Sequence, residues 1–192
     1  TAVKASYKKD DTNKTGKVTL AMKHALAMVS FRVYADHTYK NTGAFTKLVL
    51  ANKSGGTTIL NNGASPTMKI KDGTITVGSS PTAVTYTRDI ANYMLSKATA
   101  DTDQARATAK NNARKASILV LPENTADKST VEATLTIDNQ DYKVALPSSS
   151  SAWEAGKNYL YTVKLSGSEL VISSVTVTQW TTVASSTDLN IK

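Results

Sequence analysis

The stretch from Trp153 to Trp180 limits the fold of this chain more than any other. In its first half every second side chain is apolar or aromatic, namely Tyr159, Tyr161, Val163 and Leu165. This period is typical of a β-strand with one face in a core. A polar turn around Gly167 leads into a second β-rich run, so the stretch predicts a β-hairpin. We expect the rest of the chain to cover its apolar face, with Tyr159, Tyr161 and Trp180 in the core.

The remaining chain contains two further hairpin patterns. Residues 68–77 alternate around Asp72-Gly73, and Asp-Gly is one of the strongest short-range signals for a hairpin turn. Residues 131–146 alternate on both sides of a turn at 138–141. Shorter β-rich runs occupy residues 45–50 and 118–121. Such runs, joined by polar turns, indicate an all-β protein, which we predict to be a two-sheet antiparallel β-sandwich.

Residues 98–116 differ from the rest because they are rich in alanine. Asp101 and Asp103 stand near the front and Lys110 and Arg114 near the back, an order that complements a helix dipole. Alanines at i, i+4 spacing share one face, but a face without large side chains buries little area. We therefore predict one short helical insertion on the surface of the sandwich, which a linker could replace without unfolding the protein.

The first part of the chain changes in pattern. Residues 1–17 are polar and rich in turn-forming residues, so we interpret them as a lead-in. Residues 18–180 are predicted to form a single β-sandwich domain. His24 lies in an alternating apolar set, where a lone histidine is more often a packed core residue than a ligand. The apolar phase then changes between Met28 and Val29, which suggests a β-bulge or a strand that passes between sheets.

Residues 181–192 form a C-terminal tail with an alternating pattern of its own. Val183, Leu189 and Ile191 fall on one face if the segment is extended. The tail is interpreted either as a frayed end or an edge strand of its own sheet, or as a donor strand that adds to the open sheet edge of a partner. The residues alone leave both interpretations open.

The composition excludes several classes of site and partner. The 192 residues contain no cysteine, so a disulfide framework, a thiolate metal site and a cysteine nucleophile are excluded. No apolar run reaches the roughly 18 residues that a transmembrane helix needs. The formal net charge is +8. The lysines are scattered, however, and no aromatic residues interleave with them, so a nucleic acid is not predicted as a partner.

No motif predicts catalysis or a cofactor. No pattern of a zinc, nucleophile or phosphate site accompanies the two histidines, His24 and His37. The aspartates stand at turns or helix ends, where they have ordinary local roles. Asp138 to Asp141 offers oxygen ligands for a calcium ion, but without the glycine and the spaced carboxylates of a known calcium loop. We predict a protein that is not an enzyme and carries no metal or other cofactor.

Three segments together resemble a known family. Trp153-Glu154 is followed by Ala-Gly-Lys-Asn-Tyr, a Tyr-x-Val-x-Leu strand, a turn and a last strand that ends at Trp180. Before it come residues 20–31, with His24 among small apolar residues, and residues 118–122, Ile-Leu-Val-Leu-Pro. In this order the segments resemble the C-terminal domain of the fimbrillin-like pilins of Bacteroidetes surface fimbriae.

The resemblance implies a fold and a function. It implies a transthyretin-like sandwich and a structural subunit of a fimbrium at the cell surface, associated with the outer membrane, with other fimbrial subunits as partners. It also implies a lipoprotein precursor matured by proteolysis, with an export signal and an N-terminal domain before Thr1. Stalk pilins of the family carry a long C-terminal extension, whereas only residues 181–192 follow Trp180 here. A tip, anchor or accessory subunit therefore stays open beside a stalk subunit.

The second hypothesis is a carbohydrate- or protein-binding adhesin module, with host or bacterial surface ligands. Its site would lie in loops such as 36–43, 79–97 or 148–153, and an exposed aromatic platform would favour it. The candidates for such a platform are Tyr7, Tyr34, Tyr39, Tyr86 and Tyr93.

Overall fold

The computed structural model describes residues 24–56, 58–62, 66–70, 72–76, 82–148, 151–167 and 169–180. The elements in these ranges are β1 (Ala27–Ala35), β2 (Ala44–Asn52), β3 (Thr67–Met68), β4 (Ile75–Thr76), β5 (Tyr86–Met94), β6 (Ser96–Lys97), α1 (Asp103–Asn112), β7 (Lys115–Val120), β8 (Val131–Ile137), β9 (Gln140–Ala145), β10 (Lys157–Ser166) and β11 (Glu169–Gln179). The prediction of an all-β protein with one short helix is confirmed. The predicted lead-in at 1–17 and the tail at 181–192 lie outside the described residues.

The first sheet is built around β1. On one side β1 pairs in parallel with β10, which pairs in turn with β11 to form the predicted antiparallel hairpin. On its other side β1 pairs with β7 antiparallel and, at Tyr34 and Ala35, with β6 in parallel. The sheet is therefore mixed, so two parallel pairings, β1–β10 and β1–β6, stand beside the predicted antiparallel ones. Alternation shows which residues share a face, but it does not reveal the direction in which distant strands pair.

The second sheet is antiparallel throughout, with the strand order β5-β2-β8-β9. Its β8–β9 hairpin is the one predicted at residues 131–146. The turn is formed by Asp138 and Asn139, which both have positive φ. Positive φ at two successive residues defines the type I′ hairpin turn, for which Asp and Asn are favoured. The strands β3 and β4 form a separate two-stranded hairpin around Asp72-Gly73.

The alternating side chains of the two sheets share one core. Its fully buried members include Val29, Phe31 and Val33 of β1, Tyr159, Tyr161, Val163 and Leu165 of β10, Leu48 and Leu50 of β2, and Val131, Leu135 and Ile137 of β8. The rings of Phe31 and Tyr161 stack with their centroids 5.4 Å apart. Burying each such side chain contributes roughly 1.5–3 kcal/mol. This layer between the sheets is therefore the main source of stability.

The strand β1 keeps a single phase over its whole length. Its pairing with β7 and with β10 runs through Met28 and Val29 without a shift in register. The bulge suggested between these two residues is therefore wrong. Met28, the last apolar residue of the earlier phase, lies on the opposite face of β1, where Ser30 is buried. The Ser30 hydroxyl donates a hydrogen bond to the Asn158 side chain, at 2.7 Å between Oγ and Oδ1.

The helix α1 is attached to the first sheet. Thr102 caps its N-terminus, since the Thr102 hydroxyl accepts a hydrogen bond from the amide of Ala105. The small side chains of Ala98, Ala109 and Ala113 pack against Tyr34, on the outward face of β1. Within α1 only Ala109 is buried, as predicted for a helix without large apolar side chains, but the helix does contact the sheet. Its alanines are useful because small side chains let the helix approach the tyrosine closely.

The segment 98–116 therefore cannot be replaced as a whole. Lys115 and Ala116 are the first residues of β7, and Ala116 is buried in the core. A linker in place of the whole segment would remove part of a core strand, so the predicted tolerance to deletion does not apply to these bounds.

The contact between α1 and Tyr34 is open to a direct test. Ala109→Asp should lower the free energy of unfolding by about 1–3 kcal/mol, because it places a carboxylate against the tyrosine without a partner. Thr108→Asp, one position away on the exposed side of the helix, is the matched control and should change it by less than about 0.5 kcal/mol. Equal urea midpoints for both variants would show that the helix does not pack on the sheet.

Candidate functional site

The edge strand β11 is the longest strand of the described residues, with 11 residues. Within the described chain it pairs only with β10, so its other edge presents unpaired main-chain groups. Edge strands are usually protected against pairing with other chains by lysine, proline or inward-pointing charges. The sequence of β11 contains none of these, and Glu169 at its first position is its only ionisable residue. Among the described residues, this edge has no partner strand and no feature that would prevent another strand from pairing with it.

The inward face of β11 is covered only at its beginning. Leu170 is buried and Val175 is partly buried against the core. Val177 lies opposite Tyr159, which is 0% exposed, yet Val177 itself is 40% exposed. The register between β10 and β11 shifts between Thr162 and Val163, as expected for a bulge that increases the twist of an edge strand. The second half of β11 therefore offers apolar side chains beside its open edge.

The residues predicted for the core around this hairpin divide into two groups. Tyr159 and Tyr161 are fully buried. They contact Trp153, which is also fully buried and whose indole Nε1 donates a hydrogen bond to the Tyr161 hydroxyl at 3.1 Å. The ammonium of Lys128 lies 5.1 Å from the centre of the Trp153 ring. Trp153 is thus the tryptophan that belongs to the core.

Trp180 and His24 lie outside this core, which corrects their predicted placement. Both are only partly buried. Their rings are nearly parallel and stack with centroids 3.7 Å apart, at an interplanar angle of 4°. Trp180 lies outside the core because it follows the last residue of β11, beyond the part of the hairpin that the core covers. Alternation alone could not show where that cover ends.

An open groove lies beside this stacked pair. It has a volume of about 860 Å³. One wall is formed by His24, Trp180 and the neighbouring Gln179, and the other by residues 72–76 of the β3–β4 hairpin. The amide of Trp180 donates a hydrogen bond to the Gly156 carbonyl at 2.8 Å, which fixes the end of β11 at this wall. No sequence pattern indicated the groove, because its two walls are distant in the chain.

The described tyrosines that were candidates for an adhesive platform do not form an exposed aromatic surface. Tyr34, Tyr39 and Tyr93 are each at most 5% exposed. Tyr86 is partly buried against the core, and Tyr7 lies outside the described residues. Among the aromatic side chains that the structure describes, the His24–Trp180 pair is the one that lines an open groove.

The aspartate considered for calcium is bonded within the protein. The Asp138 carboxylate accepts hydrogen bonds from the amides of Gly43 and Ala44 and from the hydroxyl of Tyr39, at 2.7–2.8 Å. Asp141 instead accepts a hydrogen bond from Thr136. Across the described ranges, no group of three or more histidines or carboxylates is placed to hold a metal ion. Asp138 ties the β8–β9 turn to the loop before β2.

These contacts change the acidity of both partners. Burial alone would raise the pKa of the Asp138 carboxyl, but the amides of Gly43 and Ala44 and the Tyr39 hydroxyl hold that pKa below its usual value. For Tyr39, burial and the neighbouring Asp138 both raise the pKa of the phenol. Near neutral pH the Asp138 carboxyl is thus ionised and the Tyr39 phenol is protonated. The two groups form a charge-assisted hydrogen bond.

The two histidines lie in different settings. His24 stacks on Trp180, whereas the Nδ1 of His37 lies 3.8 Å from a carboxylate oxygen of Asp101, before α1. Neither belongs to a nucleophile–base pair in the hydrogen bonds seen among the described residues. No helix in the described part of the chain is long and apolar enough to cross a membrane.

Comparisons with known proteins agree with this architecture. A sequence model of the fimbrillin-like family matches residues 1–180. Among solved structures, a candidate cell adhesion protein of Bacteroides ovatus matches with a TM-score of 0.53 and 16% identity, over 82% of this chain and 46% of its own. One of Bacteroides uniformis matches with a TM-score of 0.51 and 23% identity, over 83% and 52%. No curated protein matches the chain.

Both solved structures share the fold of this chain at low sequence identity. The chain spans about half the length of each of them. Their likeness therefore supports the architecture described above and leaves ligands and assembly to be argued from the chain itself. The transthyretin-like topology stays a prediction, as do the domain bounds of 18 and 180.

The different placement of the two tryptophans predicts different costs of removal. Trp153→Ala should lower the free energy of unfolding by about 3–5 kcal/mol, because it empties a fully buried site and leaves Tyr161 without its indole donor. Trp180→Ala should cost about 1 kcal/mol, since it removes one partly exposed stacked pair. Guanidinium unfolding of the two variants measures both values. If Trp180→Ala were the more damaging change, the assignment of the core would be wrong.

The bonds of Asp138 predict a pH-dependent contribution to stability. Its pKa in the folded protein lies below that in the unfolded chain, so its stabilisation is complete above the unfolded value and is lost as the pH falls through the folded value. At pH 7, Asp138→Asn should cost about 1–2 kcal/mol.

The measurement is urea unfolding of the wild type and Asp138→Asn at pH 7 and pH 3. The difference between them should shrink at the lower pH. Asp89→Asn, at an exposed position on β5, serves as the control and should cost little at either pH. A difference for Asp138→Asn that stays the same at both pH values would contradict the stated role of the charge.

Proposed function

Because the chain belongs to the fimbrillin-like family, we propose that it is a structural subunit of a bacterial cell-surface fimbrium, without enzymatic activity. The partners are other subunits of the fimbrium, and the fimbrium supports adhesion. The family match and the shared fold support this assignment. The observation that carries it further is the open edge of β11, since a subunit of a polymer needs a surface that its own fold leaves incomplete.

Assembly proceeds by strand addition at that edge. An extended peptide that adds to an open edge gains main-chain hydrogen bonds along the strand, while alternate side chains fill apolar sites beside it. β11 offers both components: an unpaired edge 11 residues long and the partly exposed Val175 and Val177 beside it. Because β11 has no charge after Glu169, the added strand meets no electrostatic barrier along its length.

The tail at 181–192 supplies the donor strand. Its apolar residues Val183, Leu189 and Ile191 share one face when the segment is extended. A tail of 12 residues spans about 40 Å when extended, which is sufficient to pair with a strand as long as β11. The tail of one copy thus adds to β11 of the next, and repetition of this head-to-tail contact gives a fibre.

The location follows from the same assignment. A fimbrial subunit acts outside the cell, and we place this one at the cell surface, associated with the outer membrane, after export as a lipoprotein precursor and proteolytic maturation. The chain spans about half the length of the solved structures that it matches. The role within the fimbrium, as a stalk, tip or accessory subunit, depends on whether other subunits add to this one at both of its ends or at one end.

The donor half of the proposal is tested by a double variant. Leu189→Asp together with Ile191→Asp should abolish association, because two carboxylates would enter an apolar site. Its thermal midpoint should stay within a few degrees of the wild type, because a donor strand would place these side chains on the partner rather than on their own domain. Light scattering over a range of concentrations measures association, and a thermal melt measures stability. A destabilised variant that still polymerises would identify the tail as an edge strand of its own domain.

The acceptor half is tested at Val177. Val177→Lys places an inward-pointing charge on the edge strand, a device by which natural proteins prevent such pairing. It should block association in the same assay. Leu119→Lys, at a similarly exposed position on β7, is the matched control and should leave association intact. If only the β7 variant blocks association, the acceptor edge lies on the other side of the sheet.

A further inference from the structure

The groove beside Trp180 combines an aromatic wall with a polar rim. The stacked rings of His24 and Trp180 form one side. Asn124, Gln179 and Asp72 also line the groove, and one oxygen of the Asp72 carboxylate already accepts a hydrogen bond from the amide of Thr74 at 2.9 Å. The amide side chains can both donate and accept hydrogen bonds, whereas the carboxylate accepts them. The groove therefore offers an apolar face and several hydrogen-bonding groups within one open site.

The backbone fixes the sandwich wall of the groove, and the hairpin wall approaches it closely. On the sandwich side, Trp180 is bonded to Gly156, whose own amide donates a hydrogen bond to the Leu26 carbonyl at 2.9 Å. On the hairpin side, the turn residue Gly73 has a φ of 74°. A Cβ added at Gly73 would lie 3.7 Å from the Cβ of Ala25, so the hairpin turn approaches the chain directly beside His24. The two walls therefore face each other across the groove in the described fold.

The placement of the aromatic pair is informative because the two tryptophans of this chain lie in different environments. Trp153 is fully buried, and its indole is bonded to Tyr161. Trp180 is instead held at the surface, where its partly exposed ring gains less from burial. An aromatic ring at an open polar site is suited to a ligand that has both an apolar face and hydrogen-bonding edges.

The lining also narrows the chemistry of that ligand. Among the described residues that line the groove, the charged side chain is the carboxylate of Asp72. An anionic group of a ligand, such as a phosphate or a sialic acid carboxylate, would be repelled where it lies against Asp72. A purely apolar ligand would leave the polar rim without partners. A sugar ring satisfies both conditions, since its C–H face stacks on an aromatic ring while its hydroxyls bond to amides and carboxylates.

We propose that this groove binds a neutral oligosaccharide, with Trp180 as the stacking platform and with Asn124, Gln179 and Asp72 as hydrogen-bonding partners. The site differs from the loops that the sequence suggested for an adhesin. It is independent of strand addition, because it uses the hairpin wall and the end of β11 rather than its open edge. Binding by a monomer is therefore sufficient to establish it.

The test begins with the full 192-residue chain on an array of neutral and sialylated oligosaccharides. Neutral glycans should bind, and adding sialic acid to the same core should weaken binding. The best neutral glycan is then titrated in solution. Because Trp153 is buried, the change in tryptophan fluorescence should come from Trp180, and Trp180→Phe should remove that signal while calorimetry still detects binding.

Variants separate the site from the fold. Trp180→Ala, Asn124→Ala and Gln179→Ala should each weaken binding about tenfold or more, and the last two leave the stacked rings in place if Trp180→Ala destabilises the protein. Met94→Ala, at an exposed position on β5, is the matched control and should bind as the wild type does. Two results would overturn the proposal: no neutral glycan on the array binds, or binding is unchanged in the Trp180, Asn124 and Gln179 variants. Neither result bears on polymerisation, which is measured separately.

Discussion

The parallel pairing of β1 with β10 is the interaction on which the rest of the fold depends. It joins eight pairs of residues, from Met28 with Asn158 to Ala35 with Leu165. The other strands of the first sheet attach to one of these two, since β7 and β6 pair with β1 and β11 pairs with β10. The pairing also brings His24, just before β1, close to Trp180 at the end of the hairpin. The two candidate surfaces exist because this long-range contact is made, and such contacts make folding slow.

A buried lysine near this pairing lowers the stability of the fold, because its ammonium is removed from water. Lys128 is 0% exposed, and its ammonium has no hydrogen-bond partner in the structure. Burial lowers the pKa of Lys128, while Glu123 and Asp127 act in the opposite direction. Contact with the Trp153 ring offsets part of the cost of removing the ammonium from water. The chain from Glu123 to Lys128 thus packs on Trp153, and Glu123 also exchanges two backbone hydrogen bonds with that residue.

The parts of the fold that sequence could predict are those governed by local pattern. The alternation of Tyr159 to Leu165 predicted a buried strand face, and the turns at Gly167 and Asp138 predicted two hairpins. The direction of the β1–β10 pairing, the cover that α1 gives to Tyr34 and the exposure of Trp180 were missed. Each of these depends on what lies opposite a residue in space, and alternation carries no information about that. The groove was missed for the same reason.

The open edge and the groove lie on one strand, which relates the two proposed activities physically. Val177 and Trp180 are three positions apart, about 10 Å along an extended chain. In the proposed fibre, a strand added along β11 would end near the groove. Polymerisation would then repeat the groove along the fibre. Several weak sites on one fibre would engage a glycan-covered surface together, so overall attachment would exceed the affinity of one groove by orders of magnitude. A groove that makes few contacts with its ligand would be sufficient for adhesion, because the polymer presents many copies of it.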